Sequence, residues 1–120
     1  MRTTILSALV TLLLMTGPAL SECTVARFQF FAGAESATQM VVTSGRNCGV
    51  IIRAAGMSRF DNVGIVARPT HGILSPRLGV GVTYKSAPGY KGEDSFVFTV
   101  TGKMRTGTGT ATIKVRVSVT

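Results

Sequence analysis

The sequence predicts an all-β domain behind an export leader. Two observations carry the fold class. Apolar and polar residues alternate with period two along most of the chain after residue 24, and turn residues punctuate these runs about every 8–12 positions. A third points the same way: with 14 Gly, 4 Pro and many β-branched residues, no stretch reads as a helix of three turns. Seven or eight short strands in this pattern are expected to form an antiparallel sandwich or barrel.

The first 21 residues stand apart. Met1 to Thr4 carry one cation, Arg2, and Ile5 to Met15 is an apolar run of 11 residues. Thr16-Gly17-Pro18 breaks the run, and Ala19 and Ser21 supply small residues for a cut after Ser21. This is the layout of a secretory signal peptide, residues 1–21. The run is about half the ~20 residues needed to span a bilayer, so no transmembrane segment is expected after cleavage. A lipoprotein signal is the rival, because Cys23 follows closely, but Glu22 sits where such signals place Gly or Ala.

The mature chain, 22–120, is then a single domain. The full chain has 13 Lys+Arg, 5 Asp+Glu and a net charge of +8. Removing the leader takes away one cation, Arg2, and leaves +7. One His and two Cys are too few for a protein-only zinc site of four nitrogen and sulfur ligands. No cofactor motif is present.

The strands follow in order. Val25–Phe31 places Phe28 and Phe30 on one face, and Thr38–Thr43 is rich in β-formers. Gly49–Ala54 and Val63–Arg68 read as buried strands, and Ile73-Leu74 and Gly81–Lys85 as short ones. Asp94–Thr101 alternates Phe96, Phe98 and Val100 against polar neighbours. Thr110–Thr120 alternates most cleanly, with Ile113, Val115, Val117 and Val119 opposite Lys114, Arg116 and Ser118. Turns are expected at Ser44–Asn47, Asp61-Asn62, Pro69–Gly72, Ser75-Pro76, Ala87–Gly89 and Gly102–Gly109.

Cys23 and Cys48 allow one intramolecular bridge, two buried thiols or an intermolecular bridge. An oxidising destination favours the intramolecular disulfide, and a loop of that length is worth ~3 kcal/mol in the chain-entropy account. No C-x-x-C redox pair occurs.

From Pro69 onward a longer pattern emerges. Pro69-Thr70-His71-Gly72 leads to Val82-Thr83-Tyr84-Lys85. Pro88-Gly89-Tyr90-Lys91-Gly92-Glu93-Asp94-Ser95-Phe96-Val97-Phe98 comes next, and Thr110-Ala111-Thr112-Ile113 opens the closing strand. This resembles the bacterial immunoglobulin-like, cadherin-like repeats of secreted and surface proteins, over about half the mature chain. The resemblance implies an antiparallel immunoglobulin-like β-sandwich of seven to eight strands. It also implies a structural motif of His71, Gly72, Tyr84, Tyr90, Gly92, Asp94, Phe96 and Phe98. Apart from the family, the residues suit such a role. Tyr90 is expected to bury its ring and bond backbone across a sandwich corner. Gly89 and Gly92 are expected at positive φ, and Asp94 is expected to accept loop N–H bonds. The acid-rich calcium linkers of cadherin-like members are missing, and no D-x-D-x-D run occurs.

Catalytic readings find little to stand on. His71 has no G-x-S-x-G elbow beside it, and Glu93-Asp94 point to opposite sides of an extended chain. Gly79-Val80-Gly81 lacks the lysine and helix of a phosphate loop. The chain therefore reads as a non-enzymatic interaction or structural module, secreted or periplasmic, with an unidentified protein as partner. The alternative is an electrostatic binder of an anionic envelope polymer such as lipopolysaccharide or acidic polysaccharide. Its candidate surface is a basic face of Lys103, Arg105, Lys114 and Arg116 at the C-terminal hairpin. The same charges would also serve solubility and the protection of sheet edges. No nucleic-acid motif is present.

Overall fold

A computed structural model describes residues 21–29, 31–52, 59–77, 80–104 and 107–120. Within them the chain is all-β, with eight strands and no helix. The strands are β1 (Cys23–Val25), β2 (Glu35–Val42), β3 (Asn47–Ile51), β4 (Arg59–Ala67), β5 (Gly72–Arg77), β6 (Gly81–Ser86), β7 (Gly92–Met104) and β8 (Gly107–Val119). They form a five-stranded sheet, β1-β2-β8-β7-β4, and a three-stranded sheet, β3-β6-β5. No helix of the described residues is long and apolar enough to cross a membrane. The expected leader lies outside the described residues except for Ser21.

The two sheets share one core in a sandwich-like arrangement. On β8 the expected alternation holds to the end: Ala111, Ile113, Val115, Val117 and Val119 are buried, while Lys114, Arg116 and Ser118 are exposed. Phe96, Phe98 and Val100 on β7 fill the same interior. Facing them from the smaller sheet are Cys48, Val50, Leu74, Val82 and Tyr84. The Tyr84 and Phe96 rings meet across the interior with centroids 5.7 Å apart. Each such large apolar side chain contributes about 1.5–3 kcal/mol by leaving water.

Cys23 and Cys48 are bonded, with Cα atoms 5.5 Å apart. The bridge joins β1 in one sheet to β3 in the other. It also occupies the Cys23 sulfur, which a lipid thioether would need.

Several expectations give way. Five of the six strand pairings among the described residues are antiparallel, but β2 runs parallel to β8, with Glu35 opposite Thr112 and Val42 opposite Val119. A purely antiparallel arrangement was the sequence expectation. Pairing the first long strand with the last is a non-local choice, and alternation within either strand carries no direction.

The aromatic run at Val25–Phe31 stops being strand after Val25. Beyond it one backbone bond remains, from the Ala26 N–H to the Gln39 carbonyl, and β2 hydroxyls supply the others: Thr38 Oγ1 donates to the Ala26 carbonyl and Ser36 Oγ to that of Gln29. Phe28 still packs on the core, while Phe30 lies outside the described residues. Asp61-Asn62 is no turn, because a register shift between Phe60 and Asn62 carries β4 through it as a bulge. Ser75-Pro76 continues β5, an edge strand, where a proline breaks no inner ladder. Gly102–Gly109 is mostly hairpin strand, paired out to Met104 opposite Gly107.

Candidate functional site

Asp94 organises the end of the sandwich where β4 crosses to β5. It lies early in β7, and its carboxylate accepts four hydrogen bonds. Oδ1 takes the backbone N–H of Thr70 at 3.0 Å and of Ser95 at 2.9 Å. Oδ2 takes the N–H of His71 at 3.0 Å and the Tyr84 hydroxyl at 2.8 Å. The crossing loop is thus tied to β7, and β7 is tied through Tyr84 to β6 in the opposite sheet. Burial first, and the Asp94 hydrogen bond second, push the Tyr84 phenol well above its ordinary range. Tyr84 is therefore a fixed donor, not a base.

Around this carboxylate the rest of the predicted motif assembles. His71 is exposed, and its ring lies flat on Tyr90, with centroids 4.1 Å apart and planes 8° apart. The Tyr90 hydroxyl donates to the Glu93 carbonyl at 2.6 Å. That bond is local, three residues along the chain, and the Tyr90 ring is only half-buried. The fully buried tyrosine of the motif is Tyr84. Its period-two partnership with buried Val82 was the available signal, since a buried phenol needs an acceptor.

Two glycines make the packing possible. A Cβ on Gly72 would stand 2.6 Å from the Lys85 carbonyl oxygen and 2.7 Å from the Tyr84 ring. Gly92 has φ +138°, a conformation side chains avoid, with the Tyr90 hydroxyl 3.0 Å from where a Cβ would sit. Phe96 and Phe98 then carry β7 into the core. His71, Gly72, Tyr84, Tyr90, Gly92 and Asp94 thus form one corner, with both Asp94 oxygens already engaged by donors. Among the described residues, no three His, Cys, Asp or Glu side chains converge as metal ligands.

The basic residues divide differently from the expected single cluster. Lys114 and Arg116 are exposed on the outer face of β8. Lys114 Nζ lies 3.2 Å from Glu35 on β2, an exposed pair of small energetic weight. Lys103 is exposed on β7 opposite Thr108, six positions along the strand from Lys114, or about 20 Å by strand rise. Arg105 lies outside the described residues. No family model matches the chain, and neither a characterised protein nor a solved structure does.

Proposed function

We propose that the chain is an exported, non-enzymatic interaction or structural module of the bacterial periplasm or cell surface, folded as an immunoglobulin-like β-sandwich. The observation that carries this reading is the Asp94 corner. The acid, phenol and loop backbone that catalysis would need free are engaged in holding β4, β5, β6 and β7 together. Chemistry-bearing residues spent on a corner suit a scaffold whose surface does the work.

Strand order supports the immunoglobulin-like part. The β3-β6-β5 sheet faces β8-β7-β4, as strands B, E and D face G, F and C in that fold. The first long strand pairs with the last rather than with the B strand. The disulfide suits an oxidising compartment.

Co-sedimentation of the processed protein with envelope fractions tests the reading. Pelleting that persists at high salt, with capture of one protein, is expected of a specific module. Absence from the pellet at every salt concentration would overturn it, as would a hydrolytic turnover abolished by His71→Ala. A second reading, binding of an anionic envelope polymer, is favoured by the place of Lys114 and Arg116 on a strand interior to its sheet.

A further inference from the structure

β7 and β8 are interior strands of the five-stranded sheet, flanked by β2 on one side and β4 on the other. Cations that protect sheet edges belong on edge strands. Lys103, Lys114 and Arg116 are not on one, so edge protection does not account for them.

The surface they stand on has a consistent chemistry. The outward positions of β7 and β8 number twelve, alternating with the buried residues. Seven are Ser or Thr, three are Lys or Arg, one is Glu and one is Val. The hydroxyls are in register across the strands: Thr99 lies opposite Thr112, and Thr101 opposite Thr110. The Thr101 and Thr110 hydroxyls are 2.8 Å apart and bonded to each other. Carboxamides continue the rows, with Gln39 beside Arg116 and Asn62 beside Thr101. Lys114 and Arg116 lie about 7 Å apart along β8 by strand rise.

From this face we infer a binding surface for an acidic polysaccharide, a chain bearing carboxylate or sulfate groups among free hydroxyls. This deepens the polymer-binding alternative of the proposed function and rests on it. Lys114 and Arg116 meet the anionic groups, with Arg116 able to bind a carboxylate by two parallel N–H bonds. The threonine and carboxamide rows exchange hydrogen bonds with sugar hydroxyls, acting as both donors and acceptors. Charge complementarity selects an anionic chain over a neutral one. The same outward positions of β7 and β8 carry no aromatic ring, so bases have no stacking platform. Their one apolar side chain is half-buried Val97, too little to enter a lipid interface, and they carry no aromatic anchor of a protein hot spot.

The test is retention of the processed protein on immobilised polygalacturonate, at low salt and at ~0.5 M salt. Neutral dextran, phosphatidylglycerol vesicles and oligo-dT are the comparison surfaces. Retention on polygalacturonate that weakens with salt, and exceeds retention on the others, is expected. Lys114→Thr with Arg116→Thr should weaken it on the order of tenfold, as two charge-assisted contacts are lost. Arg77→Thr with Lys85→Thr removes the same charge from the outer face of the three-stranded sheet and should leave retention nearly unchanged. Thr101→Val with Thr110→Val should weaken retention without altering its salt dependence. Equal loss from the two charge variants would overturn the proposal, as would no retention on polygalacturonate. Stronger retention on vesicles or oligo-dT would transfer the face to a lipid or nucleic-acid partner and overturn it too. If the proposal fails while salt-resistant pelleting with envelope survives, the interaction-module reading stands without it.

Discussion

Asp94 shows how much one side chain can hold. Its four donors come from the crossing loop, from β6 and from its own strand. Asp94→Ala leaves the Tyr84 hydroxyl and two loop N–H groups without their acceptor. Of these the Tyr84 hydroxyl is buried and the loop N–H groups are exposed; an unmet buried donor costs about 1–3 kcal/mol, and the loop also loses its tie to β7. A loss on the order of 3 kcal/mol is therefore expected in a urea titration, and a change under ~0.5 kcal/mol would remove Asp94 from the centre of the corner. Tyr84 adds a pH signature. Burial and the Asp94 hydrogen bond raise its phenol above the ordinary value of 10.0, so the folded state resists deprotonation more than the unfolded chain does. The stabilisation is fully present below about pH 10 and is lost as pH rises beyond it toward the folded value. Unfolding free energy should fall above pH 10, and Tyr84→Phe should flatten that fall while lowering stability at neutral pH. An unchanged alkaline limb in Tyr84→Phe would rule the phenol out. The acceptor role of Asp94 was legible in the sequence, because an acid that opens a strand after a glycine turn suits loop N–H groups. The Tyr84 bond was not, because it joins residues on strands whose facing is a tertiary fact.

Among the elements, β1 is the one least able to hold itself. It has three residues, of which Cys23 and Thr24 are exposed and Val25 half-buried, and it pairs only with the end of β2. Burial of so little surface does not fix an edge strand, so the bridge to Cys48 supplies what packing lacks. Cys23→Ser with Cys48→Ser should lower stability by about 3 kcal/mol in the chain-entropy account. Amide exchange should quicken most at Met40 to Val42, the β2 residues that β1 covers. Uniform quickening across both sheets would mean that the bridge supports the whole fold and not this edge. β7 and β8 are the contrary case. Their alternation made them readable over most of their length, since each buries one face and wets the other along consecutive pairs. β4 hid its start in Asp61-Asn62 and β5 hid its end in Ser75-Pro76. A bulge and an edge position let strands accept residues that local chemistry assigns to turns.

At the scale of the molecule, the β2–β8 pairing dominates the order of assembly. Glu35 meets Thr112 across 77 residues of chain, and every other strand except β1 lies between them. Closing such a loop must precede the contacts that reward it, so refolding with the disulfide intact is expected in the millisecond-to-second range typical of non-local β folds. Stopped-flow fluorescence of the two tyrosines would check this, and microsecond refolding would contradict the assigned pairing. The hairpin of β1 on β2 has a further effect on the path of the chain. Cys23 lies opposite Val42, and Val42 lies opposite Val119. Thr43 N–H bonds the Glu22 carbonyl, while Ser44 N–H bonds that of Thr120. Chain entering at Cys23 and chain leaving at Val119 therefore do so from one end of the molecule. Beads on a string need an entrance and an exit at opposite poles, so copies of this domain joined in series would fold back side by side instead of extending into a rod.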